Sequence, residues 1–524
     1  MNLYRSLGAR SIHDLGLLPT ALVLVALVLS PTLRAQTVWS NVGTGDWTTG
    51  SNWSAGAPNS STDATINNGG TATLTGTGEA GELLIGSGGG TSGSLSIDGG
   101  SLTANSNAVI GFYGSTGSAD IGSGTWSVSS IFIVGHTGGT GSLSITGGEV
   151  TSPTSQVGYG GDGTVTVSGG SWSAGSLYVG FAATENGAGV LTITGGTVTA
   201  SSVALNYNLG YEKSSTGTIN LNGGVLETGG INELTGTGGG QVNFNGGTLR
   251  AAANTANLFT GFSAGDVQIG ATGAVIDTQN FAVGLNLALQ GAGGLTKLGA
   301  GTLTLGETNT YVGATAVNAG TLNLSGSIAT SSLTTVASGA TLTGTGTTGP
   351  LTIASGGTLA PGNSPGALSA GDTTFGGGGN FIWEINSVDG NTGEDPGWDT
   401  LNVSGTLTIT ASSGTPFTVF LASLTAGNTA GEVFDFNPNA NYAFTLATTT
   451  LGIIGFDADA FEFNSAGFAN SFSGSWSVEQ SGGDLNLIYT AAVPEPSTYA
   501  AIAGAVMLGF VFWRRRRQQA QMRS

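Results

Sequence analysis

One short pattern returns seven times in the first half of the chain, and it restricts the possible folds more than any other feature. In order it reads GSLSIDGGSLTA, GSADIGSGTWSV, GSLSITGGEVTS, GTVTVSGGSWSA, GVLTITGGTVTA, GTINLNGGVLET and GQVNFNGGTLRA. Its second apolar residue falls at Ile97, Ile121, Ile145, Val167, Ile193, Leu221 and Phe244, with spacings of 24, 24, 22, 26, 28 and 23 residues. Each unit opens with strict alternation, as in Leu143-Ser144-Ile145, which places its apolar side chains on one face of a strand. A glycine pair then marks a corner where positive φ costs little. Two residues beyond it comes another apolar position: Leu102, Trp126, Val150, Trp172, Val198, Leu226 and Leu249. A further set, Ile110-Gly111, Val134-Gly135, Val157-Gly158 and Val179-Gly180, supplies a third short strand per unit.

A unit of this size has only a handful of inward side chains and cannot shield them alone. Stacked about 4.8 Å apart, successive units pair strand on strand and bury a continuous core. Each Val, Leu or Ile buried this way contributes roughly 1.5–3 kcal/mol. The spacing therefore predicts an all-β chain whose residues 71–290 form a β-solenoid. Antiparallel hairpins packed as sandwiches are the competing arrangement, and the length of the series favours the solenoid. Residues 36–70 differ in composition and hold Trp39, Trp47 and Trp53 close together. The open first coil needs a cover, so these tryptophans are expected to form an N-terminal cap; an aromatic platform for carbohydrate is the sharper alternative.

Charge narrows the function classes. Of the 524 residues only 8% are charged, and between Gln36 and Val493 three basic residues (Lys213, Arg250 and Lys297) face 28 acidic ones, a net of −25. Such a surface repels phosphate backbones, so nucleic acid is not an expected partner. There is no cysteine, which excludes disulfides, thiolate metal sites and cysteine nucleophiles.

The basic residues collect instead at the ends. Arg5 and Arg10 precede the apolar stretch LGLLPTALVLVALVLS and the exit PTLRAQ, the layout of a secretory signal peptide over 1–35 cleaved between Ala35 and Gln36. At the other end Tyr499 to Trp513 is apolar and Arg514, Arg515, Arg516 and Arg517 follow. Fifteen residues make about 22 Å of helix, short of the roughly 30 Å hydrocarbon core. Ser497, Thr498 and snorkelling arginines extend it, so a C-terminal transmembrane helix is expected, with the arginines as a cytoplasmic stop. The chain before Pro494 would then lie outside the inner membrane.

Pro494-Glu495-Pro496, a short apolar helix and a basic cluster together resemble the PEP-CTERM sorting signal, here over 493–518 with a cytoplasmic tail at 519–524. The resemblance implies recognition and removal by an exosortase, delivering the chain to the cell surface or extracellular matrix. From Gly291 the text changes. Leu295-Thr296-Lys297, Thr302-Leu303-Thr304-Leu305, Asn309-Thr310-Tyr311 and Gly320-Thr321-Leu322 are similar to the autotransporter-associated β-strand repeat of secreted passenger domains. That likeness covers 291–370 and implies a right-handed parallel β-helix. An autotransporter ends in an outer-membrane barrel; here the sorting signal stands in its place, so self-translocation is not expected. Residues 371–492, with longer strands and denser aromatics, are expected to hold the terminal coils and a capping β-region.

Catalytic chemistry finds little purchase. His136 sits beside a corner in IVGHTGGTG and is expected to be a solvated loop residue. Arg250 has no charged partner nearby in sequence, and Asp98, Asp120, Glu149 and Asp162 fall at different places in the coil. No cofactor is expected. The one candidate for a metal is calcium in DGNTGEDPGWD, where Asp389, Asn391, Asp395 and Asp399 offer hard oxygen donors at alternating positions; a solvated acidic loop is the simpler reading. The sequence thus predicts an exported, non-enzymatic structural or adhesive rod whose partners are the secretion machinery, an exosortase, the inner membrane in transit, and exopolysaccharide or surface glycans. A polysaccharide lyase or hydrolase on the same scaffold is the alternative.

Overall fold

The structure is a computed structural model describing residues 34–182, 185–208, 214–234, 239–493 and 496–521. Residues 1–33 of the expected signal peptide, Lys213, Pro494 and Glu495 lie outside the described residues. The seven repeats do stack as coils. Ile97, Ile121, Ile145, Val167, Ile193, Leu221 and Phe244 are paired in register, rung upon rung, in parallel strands. All are buried. Three strand rows run along the stack, and the one beginning at Thr77–Ala80 continues through both halves of the chain.

This continuous row explains why the two repeat types coexist. Its inward rungs pass from Leu102 and Trp126 through Leu226, Leu249 and Ile276 into Lys297, Val317, Val336, Ile353 and Phe375 without a break in register. The coils shorten in the second half: Leu295, Thr315, Thr334 and Leu351 occupy one column at spacings of 20, 19 and 17 residues. Identical strand pairing lets coils of different length share one core, because only the corners change.

Some corners are built by glycines that accept no side chain. Gly117, Gly141, Gly163 and Gly189 form one column, in register. Gly111, Gly135, Gly158 and Gly180, all at φ near +75°, face it across the corner. A Cβ on Gly141 would overlap the Gly135 amide nitrogen and the Ile110 carbonyl oxygen.

The two ends of the stack are built differently. Trp39, Trp47 and Trp53 are buried, with ring centroids 4.9 Å apart and edge-to-face, and Trp53 Nε1 donates to the Trp47 carbonyl at 2.7 Å. So buried, they offer no platform for a sugar. The first strand, Ala35–Val38, pairs with Thr62–Thr65, so Ala35 and Gln36 are already part of the sheet. At the far end the parallel pattern gives way to antiparallel pairing: Asp484–Thr490 lies between Tyr442–Thr449 and Ser475–Ser481. Phe444, Trp476 and Tyr489 pack there beneath Trp383. These strands extend the row in which Thr400–Val403 pairs in parallel with Tyr442–Thr449.

A helix, Pro496–Gln521, follows. The expected C-terminal helix is present, and its residues are exposed wherever described. Among the described residues no helix is long and apolar enough to cross a membrane.

Candidate functional site

Outward positions decide what a solenoid meets. On the row that contains Thr116–Ile121 they form two columns of small polar side chains, Ser94-Ser118-Ser142-Thr164 and Ser96-Asp120-Ser144-Thr166. A shallow groove of about 360 Å³ runs over them. At one step the hydroxyls bond along the axis, Ser94 to Ser118 Oγ at 2.8 Å. Similar links join Thr125 to Ser101 at 2.9 Å and Asn243 to Asn220 at 3.0 Å. This is a rigid, acceptor- and donor-rich surface.

The candidate catalytic residues do not converge. Asp120 lies in the hydroxyl groove between Ser96 and Ser144, while the Asp98 carboxylate accepts from Ser123 Oγ at 2.7 Å at a corner. His136 corrects the sequence expectation. It is 2% exposed rather than solvated, with ring centroids 4.8 Å from Phe112 and 5.0 Å from Tyr159, and its Nδ1 has no partner. Burial pushes its imidazole down to about 4, so the ring is neutral at pH 7. The corner position misled because coil stacking places His136 opposite Phe112 on the rung below.

Arg250 also gains partners that linear sequence hides. Glu227 and Asp277 occupy the same position one coil either side, and Arg250 Nε donates to Asp277 at 3.0 Å while its other arm stands 3.6 Å from Glu227. The side chain is a third exposed, which weakens the pair. Arg250→Ala is expected to cost no more than about 1 kcal/mol in urea unfolding.

The four residues of the acidic loop serve different partners. Asp389 and Asn391 are exposed, and Asn391 Nδ2 donates to Glu394 at 3.0 Å. Asp395 accepts from Asn386 and Asn428, each at 2.6 Å. Asp399 is buried and accepts from the amides of Gly366 at 2.7 Å and Glu384 at 3.0 Å. Burial, then the nearby Glu384 carboxylate, raise the Asp399 carboxyl well above its ordinary range. Among the described residues no three acidic or histidine side chains converge where they could hold a metal ion.

Three residues of the 291–370 region carry structural work that the sequence did not assign. Lys297 fills a core rung between Ile276 and Val317, fully buried, and its ammonium donates to the carbonyls of Leu298, Gly299 and Ala319 at 3.0, 2.8 and 2.9 Å. Burial lowers it to about 8, with Asp277 opposing the shift. Asn309 spans three coils: it accepts from the Leu289 amide at 2.9 Å and donates to the carbonyls of Glu307 and Ser327 at 2.9 and 3.1 Å. Tyr311 is 1% exposed and its hydroxyl meets Thr315 Oγ1 at 2.7 Å; burial raises the phenol to about 12. The alternation Leu295-Thr296-Lys297 was the available signal, since it places lysine on the same face as a core leucine.

The tail is simple. Pro496 opens the helix and Arg514 to Arg517 sit in its last turns, with the Arg517 guanidinium 4.3 Å from the centre of the Trp513 ring. Comparison with known proteins agrees with these two regions. The chain is 44% identical over 80 residues to an extracellular serine protease of Serratia marcescens, a stretch that is 15% of this chain and 8% of that protein. Residues 295–324, which contain Lys297, Asn309 and Tyr311, match the passenger-associated-transport-repeat family. Residues 492–517 match the PEP-CTERM protein-sorting motif, so this parallel β-solenoid holds one stretch similar to a passenger repeat and another similar to a protein-sorting signal.

Proposed function

We propose that this chain is an exported, non-enzymatic rod that serves as a structural or adhesive component of the cell surface or extracellular matrix. The observation that carries the reading is the union, in one chain, of a solenoid with rows of outward hydroxyls and a sorting motif at 492–517. An exosortase would recognise Pro494-Glu495-Pro496. The apolar stretch, too short to cross unaided, would be held in the inner membrane by local thinning and by snorkelling of Arg514 to Arg517 on the cytoplasmic side until cleavage. The rod then acts by geometry: stacked coils keep the hydroxyl columns about 4.8 Å apart per rung, a spacing thermal motion blurs little.

A second reading, an enzyme on the same scaffold, draws on the match to the serine protease. Against it, His136 is wedged among aromatic rings, and its Nδ1 lacks the carboxylate that would orient a catalytic imidazole.

The C-terminal peptide map of the protein recovered from native cells and medium tests the proposal. Peptides beyond about Pro496 should be absent from the exported form. Recovery of Arg514 to Arg517 on protein that stays with the inner membrane would replace the matrix rod with a tethered periplasmic one.

A further inference from the structure

One face of the rod is not hydroxyl-rich. On the row that contains Ile131–His136, an outward column runs Val109, Ile133, Gln156, Tyr178 and Ala204. Val109 and Ile133 are only 3% and 2% exposed, yet neither belongs to the core cluster between the sheets. Beside them stands a second column, Phe112, His136, Tyr159, Phe181 and Tyr207, whose successive ring centroids lie 4.8, 5.0, 4.8 and 4.7 Å apart. The aromatic column thus makes an outer layer over the sheet. None of these ten side chains is charged at neutral pH.

Three further observations make this stripe more than packing. Tyr113, next to the base of the column, is 52% exposed and held at φ 45°, a conformation disfavoured for an aromatic residue. Its ring stands at 77° to Phe112 and 62° to His136, so it is not stacked face to face within the column. Gln156 is 1% exposed with neither amide atom partnered. Finally, the two longest repeat spacings arise where the chain leaves this face. In register, Thr116 follows Phe112 by four residues, whereas Ala188 follows Phe181 by seven and Thr216 follows Tyr207 by nine. In repeat proteins insertions gather on the binding face.

We propose that this stripe, with Tyr113 as its stacking platform, binds an uncharged, extended β-linked polysaccharide lying along the rod axis. The proposal rests on the adhesive reading above and gives it a location. The inner rings cover one another's faces, which leaves Tyr113 to stack on a pyranose while the half-buried Tyr159, Tyr178 and Tyr207 flank the chain. A coil rise of about 4.8 Å is close to the advance of one sugar in an extended β-linked chain, so such a chain can follow the column from coil to coil. Charge selects the occupant: a span with net charge −25 repels polyanionic glycans, and the uncharged stripe asks for no counter-ion.

The test is retention of the full chain on amorphous cellulose, with alginate as the anionic comparison. Tyr113→Ala is compared with a Ser118→Ala/Ser142→Ala variant from the hydroxyl groove. Tyr113 is exposed, so its variant should keep the parent melting temperature. The expected result is retention on cellulose, little on alginate, and at least a tenfold loss with Tyr113→Ala alone. Loss only in the groove variant would overturn the stripe while leaving an adhesive rod intact. Retention of neither polysaccharide would overturn the stripe as a glycan site, and the peptide map would still decide the sorting reading. If Tyr113→Ala instead abolishes self-association seen by sedimentation, without altering cellulose retention, the stripe joins copies of this chain and the proposal fails.

Discussion

Replacing Gly141 by valine is expected to lower the unfolding free energy by about 3 kcal/mol or more, the largest effect of any single change considered for the rod. The Cβ would enter space held by the Gly135 amide and the Ile110 carbonyl, both backbone atoms of neighbouring strands. A crowded side chain can rotate away; a crowded main chain moves only by breaking the rung it belongs to. Denaturant unfolding measures this directly. Gly76→Ala is the matched control, because a Cβ there would meet no atom within 4 Å and its φ is not in the left-handed region. It should shift stability by no more than about 0.5 kcal/mol. If Gly141→Val unfolds at the same denaturant concentration as the parent, the two glycine columns are not in close contact and the corner geometry is wrong.

Lys297→Ala should cost about 3 kcal/mol at pH 7 and also remove a pH dependence. The side chain occupies a core rung between Ile276 and Val317, so truncation leaves a cavity as well as carbonyls of Leu298, Gly299 and Ala319 without their shared donor. Burial lowers the folded amine to about 8, from 10.5. Between those values the unfolded chain binds more protons, so the parent protein should gain stability as pH rises from 8 towards 10.5. The alanine variant should lack that gain. Lys297→Met restores the packing of the stem but not the donors, and should fall between the two. Urea titrations at about pH 7, 9 and 10.5 check all three. An alanine variant as stable as the parent at pH 7 would mean that the rung tolerates the void and the ammonium staples nothing.

The two predictions probe what the sequence could and could not express. Period, alternation and corners were legible because each is local: Leu143-Ser144-Ile145 states its face, and Gly-Gly states its turn. Stacking was legible as well, since the repeats from Ile97 to Phe244 recur at nearly constant spacing. The tryptophan cluster was legible too, because Trp39, Trp47 and Trp53 lie close together in the chain. The sorting motif followed from the order of proline, apolar run and arginine.

What escaped was contact between residues a coil apart that no repeat announces. His136 was expected in solvent, but stacking put it between Tyr159 and Phe112. Arg250 lacked partners along the chain and found them one coil above and below. The oxygen-rich loop read as one cluster, yet folding turned Asp395 towards Asn386 and Asn428 and drew Asp399 inward to the Gly366 amide. The aromatic stripe was equally hidden, because Phe112, Tyr159, Phe181 and Tyr207 are scattered over nearly a hundred residues.

The sequence by itself determined the architecture and the sorting motif: an all-β solenoid followed by a PEP-CTERM match at 492–517. Both are written in short-range patterns, and short-range patterns survive without knowledge of neighbours. Only the tertiary structure decided which outward positions form a surface. A solenoid converts a sequence separation of about two dozen residues into one rung of about 4.8 Å, so a column exists only once the register of every intervening coil is set.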